Sequence, residues 1–192
     1  MNKITIDKKA LTYAFKVGVD GVFKKYKRLL KKLHVKEIKV ITENWKWIDN
    51  AWMVTLFYTR KQGCHDVLYC IIEINVDKFF KEIQDNFNDD ELIEMVSYTE
   101  NAFMNALLHE LRHAAQCRYL FNRLNRNRKM MDRFMNWKNE KYKDDLDKSI
   151  IEQDADHYFQ NYGYNDAIFN KLNVLDSDIE EFRNSCKSNR RK

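Results

Sequence analysis

The sequence predicts an α+β fold in one domain. Two observations carry this. Three β-branched and aromatic segments, 37–43, 51–60 and 66–76, follow one another in the first half. Amphipathic helical patterns precede them and fill the rest of the chain. At 192 residues, with 44% hydrophobic and 14% aromatic side chains, the chain can bury a core without cross-links and is not composed for disorder. The expected domain is 1–192, with a first helix, sheet and connecting helices in 1–100 and later helices in 101–192.

The elements follow in order. From Lys8 to about Leu33 the pattern is helical. Val22, Phe23, Tyr26, Leu29, Leu30 and Leu33 share one face, and lysines and Arg28 cover the rest. This reads as a surface helix with a solvated basic face. The three strand segments come next, with "RKQGCHD" as a hairpin loop, so a small, mostly antiparallel sheet is expected. Trp45, Trp47 and Trp52 are expected to pack on it. Helical patterns resume at Asp77. Ser97 followed by Glu100 fits a capping box, which predicts a helix start there. That helix would run through "NAFMNALLHELRHAAQCRYL". Residues 118–148 are strongly charged and read as irregular or helical surface insertions. Another helix begins at Ser149, and a short one at Ser177 with Glu180 as its capping partner.

Composition excludes several classes. Gly18, Gly21, Gly63 and Gly163 fit neither a P-loop nor a dinucleotide fingerprint. Cys64, Cys70, Cys117 and Cys186 form no CxxC pair, so no zinc ribbon or thioredoxin-like motif is present. No apolar run is long enough for a membrane span. The first residues lack the pattern of a signal peptide, so a cytoplasmic protein with free thiols is expected. The net charge of +5 does not by itself call for nucleic acid, which is not an expected partner.

The chemistry lies in "LLHELRHAAQ", 107–116. His109, Glu110 and His113 match H-E-x-x-H. Residues four apart stack on one helix face, so both imidazoles can reach one zinc ion. Glu110, about 100° around the helix, can reach a water on that metal and act as general base. Ala102, Asn105, Ala106, Gln116 and Cys117 share the histidine side and leave room for a metal and substrate. Met104, Leu107, Leu111, Ala114 and Ala115 lie opposite. The helix is therefore mostly buried, where two histidines and a glutamate without a purpose would be costly.

A third side-chain ligand is needed. The metzincin continuation is excluded, because Gln116 and Tyr119 stand where its glycine and histidine would be. The best candidate is Glu152, four residues before Asp156 in "IIEQDADHYF". Asp154, Asp156 and His157 are the alternatives. Ser149 and Glu152 also fit a capping box, which would turn the carboxylate back to its own helix start.

These two segments, 101–120 and 149–162, resemble the gluzincin class of H-E-x-x-H zinc metallopeptidases. They also resemble small metallopeptidase-like proteins of bacterial and phage genomes. The interval from His113 to Glu152 is longer than in the compact gluzincins. The resemblance implies a zincin-like fold, with the small sheet packed on the active-site helix. It implies Glu152 as third zinc ligand, Asp156 as the carboxylate that orients His109 or His113, and a peptide or protein substrate.

Further expectations complete the reading. Cys117 is a small core cysteine rather than a nucleophile. Tyr119, Tyr158 and Tyr162 are candidate oxyanion donors. Cys64 and His65 are loop residues. The strand at 66–76 is an expected edge for binding an extended peptide. The alternatives to a peptidase are a zinc-site amidase, a non-proteolytic regulatory domain, and a nucleic-acid binder using the basic segments 24–32 and 118–133.

Overall fold

The computed structural model describes residues 7–42, 51–63, 65–88, 91–145, 148–161 and 163–188. Among these, seven α-helices surround a three-stranded sheet. The order is α1 (Lys8–Lys25), α2 (Lys27–Leu33), β1 (Val35–Ile41), β2 (Met53–Gln62), β3 (His65–Asn75), α3 (Val76–Asn86), α4 (Leu92–Arg123), α5 (Arg128–Lys141), α6 (Ile150–Asn161) and α7 (Asp176–Ser188). Two 3₁₀ turns, Asp166–Phe169 and Leu172–Leu175, join α6 to α7. The protein is thus α+β and mostly helical. No described helix is long and apolar enough to cross a membrane.

The sheet is mixed rather than mostly antiparallel. β2 and β3 form the expected hairpin, Gln62 opposite His65, with Gly63 at φ +62° in the turn. β1 pairs in parallel with the other side of β3. β3 is therefore the central strand, and the expectation that 66–76 forms an edge is overturned. The reason lies in its composition. Leu68, Cys70, Ile72 and Ile74 are buried at every second position, the strongest alternation of the three strands, and a strand bounded on both sides loses the most water. Ile41 and Met53 both register with the last residues of β3, so β1 ends and β2 begins at the same end of the sheet.

Two helix boundaries also differ from the expectation. The first helix breaks at Tyr26, which leaves helical geometry and stacks its ring on Tyr164 at 4.7 Å. α4 runs without interruption through Ser97, where a helix start was predicted. Ser97 is exposed, and Met95 and Phe103 are buried on either side of it. The apolar stripe continues past the local capping signature, and tertiary burial outweighs the worth of one cap.

α4 packs along β2 and β3 on one side and along α6 on another. Asn75 ends the sheet and starts α3, its side chain accepting from the amides of Asp77 and Lys78. Residues 128–141 form a packed helix rather than a surface insertion. Met131 and Phe134 of α5 are buried, with Phe134 edge-on to Phe182 of α7 at 5.5 Å. One buried cluster runs from Leu11 to Phe182 and joins the two halves of the chain. Trp52 packs as expected, 4.3 Å from Phe79 and stacked on Phe15; Trp45 and Trp47 lie outside the described residues.

Phe79 touches Phe15, Trp52 and Tyr98 and is fully buried where α1, α3, α4 and the sheet meet. Phe79→Ala should destabilise the protein by about 3–5 kcal/mol, read as a lowered urea midpoint at unchanged m-value.

Candidate metal centre

His109 and His113 project from one face of α4, and their Nε2 atoms lie 2.8 Å apart. From α6, Glu152 brings Oε2 to 3.1 Å from His113 Nε2 and 3.7 Å from His109 Nε2. Three donor atoms from two helices thus converge on one point. Donors at about 2.0–2.1 Å from a tetrahedral zinc stand about 3.3 Å from one another, and the three observed separations bracket that value.

The outer ring nitrogens are both engaged. His109 Nδ1 lies 3.0 Å from Asp156 Oδ1, and His113 Nδ1 lies 2.7 Å from Gln116 Oε1. With an acceptor on each Nδ1, each ring turns Nε2 to the shared point, where that atom can share a proton with Glu152 or bind a cation. The Gln116 amide is itself fixed: its Nε2 donates to Ile151 O at 2.8 Å and to Asp154 Oδ2 at 2.7 Å. Its oxygen is therefore the atom left for His113.

Glu110 stands beside this point. Its carboxylate oxygen lies in a group with the two histidines in which all donor atoms are within 4.8 Å of one another. Glu110 is 8% exposed, and its Oε2 is buried with no hydrogen-bond partner among the described residues. Thr55 of β2 donates to the Glu110 carbonyl at 2.8 Å, tying this turn of α4 to the sheet. Burial pushes the Glu110 carboxyl up, against the pull of His113 and His109. Burial would also raise Glu152, but hydrogen bonds from His109 and His113 and the charges of His113 and Lys138 hold it well below the usual carboxylate range.

The site residues predicted from the sequence come together; of the alternative ligands, Asp154 and His157 lie apart, while Asp156 reaches His109 by its outer nitrogen. His109, Glu110, His113, Glu152 and Asp156 share one centre. Asp154 is turned away, closing a two-point pair with Arg112 at 2.8 Å to each oxygen. His157 lies on the exposed side of α6 beside Asn161. The capping signature at Ser149 is half realised: Ser149 Oγ accepts from the Glu152 amide at 3.3 Å, while the Glu152 carboxylate goes to the histidines. The tyrosines named as oxyanion donors are used elsewhere. Tyr119 donates to Asp176, and Tyr158 donates to Gly163 O. Tyr162 and Cys64 lie outside the described residues. His65 is the first residue of β3 rather than part of the loop. Cys117 is buried, and burial pushes its thiol up to about 12, which disfavours the thiolate a nucleophile needs.

A cleft of about 400 Å³ opens onto the centre. Ala102, Asn105 and Ala106, the small and polar residues on the histidine side of α4, form its floor; Trp52, Tyr98 and Phe159 are among its walls. A larger hollow of about 600 Å³ beside the start of α1 is lined by Lys8, Lys9, Thr12 and Lys16 and brings no paired donors together. The spacing-based reading did not find Arg112, Gln116 as a histidine partner, or Lys138, whose Nζ lies 3.5 Å from Glu152 Oε1.

The donor set suits a divalent cation. Glu110, Glu152 and Asp156 bring three carboxyl groups to the two imidazoles, and Lys138 sets one ammonium beside Glu152. No family model matches the chain, and no curated protein or solved structure is significantly similar to it.

Two outcomes follow. Arg112→Met leaves Asp154 buried without its cation, and should cost about 3–5 kcal/mol in urea unfolding, with zinc affinity lowered because Gln116 loses its anchor. The second concerns pH. Burial pulls the His113 ring down, yet the hydrogen bond and charge of Glu152, with the charge of Glu110, push it up to about 9. A cation taking His113 Nε2 therefore displaces a proton at every pH below that value. Apparent zinc affinity should fall about tenfold per unit as pH drops from 9 to 7, measured by competition with a chromophoric chelator. An affinity flat across that window would show that His113 carries no proton there for the cation to displace; the assignment of Nε2 as a ligand is tested by His113→Ala, which should lose the metal.

Proposed function

We propose that the chain is a zinc-dependent metallopeptidase, with His109, His113 and Glu152 as metal ligands, Glu110 as general base and Asp156 orienting His109. The observation that carries this reading is the convergence of two imidazole Nε2 atoms and one carboxylate oxygen from separate helices, with the buried Glu110 Oε2, unpartnered among the described residues, beside them. Zinc bound there supplies a Lewis acid for a carbonyl and makes a water molecule acidic near neutral pH.

The chain's residues do the remainder. Asp156 and Gln116 keep the two imidazoles in the tautomer that presents Nε2. Glu110 accepts the proton of the attacking water and returns it to the leaving amine. Its burial favours that role, because a carboxylate whose pKa is raised takes a proton from water more readily than a solvated one. The cleft floor of Ala102 and Ala106 leaves room for a substrate backbone beside His109. β2, not β3, is the strand that meets α4 with an outer side that pairs with no other described strand. An extended peptide adding to that edge would run past Glu110. The substrate is thus a peptide or protein segment in extended form. The free thiols Cys70, Cys117 and Cys186 fit a reducing compartment, and we place the protein in the cytoplasm.

The test joins metal content to cleavage. Protein purified without a metal-binding tag should hold about one zinc per chain, retained in Glu110→Gln and lost in His113→Ala and Glu152→Ala. Cleavage of a peptide library should fall by about 10²–10⁴ in Glu110→Gln. Zinc without any peptide cleavage, under conditions where the library is accessible, would exclude the peptidase and leave an amidase or a non-catalytic zinc domain. No zinc after reconstitution would exclude both.

A further inference from the structure

α5 buries Met131 and Phe134 and, on the same stripe, Lys138. The Lys138 side chain is 7% exposed. A buried ammonium needs an anion, since its desolvation is otherwise uncompensated. The nitrogen ends 3.5 Å from Glu152 Oε1. Glu152 is therefore divided between two neighbours: Oε2 faces the two histidines, and Oε1 faces the lysine. Cys117, also close to Lys138 and Glu152, is a buried thiol that stays neutral and offers the ammonium no charge.

A carboxylate can hold a cation through one oxygen or through both. The difference matters at a three-ligand centre, whose open position has to receive water and substrate. We propose that Lys138 is a positioning residue that occupies Glu152 Oε1 and so keeps Glu152 a one-oxygen ligand, leaving that position open; this rests on the metal centre proposed above. α5, which the sequence presents as a basic surface insertion, thereby sets the coordination number of a centre to which it gives no ligand.

The test uses the full chain loaded with Co²⁺, whose visible bands are several-fold more intense in four-coordinate than in five-coordinate sites. The wild type and Lys138→Arg should both show intense bands. Lys138→Met, with the stem kept and the charge removed, should show bands several-fold weaker, as Oε1 turns onto the metal, and should release Co²⁺ to a chelator more slowly. Lys138→Leu gives the same comparison should the methionine variant not fold. Unchanged band intensity in the neutral variants overturns the proposal even if metal affinity rises, because relief of one positive charge accounts for affinity alone. Loss of Co²⁺ binding in the neutral variants also overturns it, since Lys138 would then be required for ligation. A wild type that takes up no Co²⁺ or Zn²⁺ overturns the centre itself, which separates that failure from a failure of the lysine's role.

Discussion

Arg112 sits at 2% exposure between α4, α6 and the first 3₁₀ turn. Its Nε and one terminal nitrogen close on the two oxygens of Asp154, while the other terminal nitrogen donates to the carbonyls of Ile168 and Asn170 at 2.6 and 3.0 Å. Its plane lies over the Tyr158 ring at 4.9 Å. A buried ion pair is only weak evidence of stability, because desolvation offsets the attraction. Here every face of the guanidinium is used, so the pair costs least and specifies most. It sets the rotation of α6 against α4. Asp154 is inward, so Glu152 and Asp156, two residues either side, fall where His113 and His109 can meet them.

The same joint reaches the imidazoles by a second route. Asp154 accepts from both Arg112 and Gln116, and Gln116 accepts from His113. The side chains inside H-E-L-R-H-A-A-Q are thus not spacers between ligands. Arg112 faces α6, Gln116 relays that contact to His113, and Ala114 and Ala115 are fully buried, small enough to let neighbouring elements approach α4 closely. A substitution at Arg112 would disturb the histidine cluster without touching it.

What was legible in the sequence divides by range. The pairing of His109 with His113 follows from the helix repeat, a local property, and needs nothing from the rest of the fold. Glu152 was harder, because the carboxylate could cap its own helix. The structure gives the cap to Ser149 Oγ and leaves the carboxylate free. Sheet order was not legible. The hairpin at Gly63 is local, but which side of β3 receives β1 depends on how much water each arrangement removes from Ile72 and Ile74, a sum over the whole core. The capping box at Ser97 misled for the complementary reason: a local signature lost to a long apolar stripe. Lys138 had a signal that composition hid. Met131, Phe134 and Lys138 fall on one helical stripe, and a lysine at an apolar position of such a stripe marks a buried cation. Reading 118–148 as a charge run obscured it.

These contacts hold the histidine cluster in place without a cation. In small zinc-folded domains the metal is most of the core, and without it the chain is unfolded. Here the core runs from Leu11 to Phe182. The helices that carry the donors are already joined by Arg112, Gln116 and the carbonyls of residues 168 and 170. Holding three donors and an unpaired carboxylate in place is costly, and that cost is carried by packing elsewhere. For the cation proposed above, such a point offers side chains whose rotamers are already held, and little ordering entropy would remain to oppose binding. The fold's contribution to chemistry at Glu110 is of the same kind. β2 fixes the backbone of that residue through Thr55, while its buried Oε2 has no hydrogen-bond partner among the described residues, which is what the proposed role as general base requires.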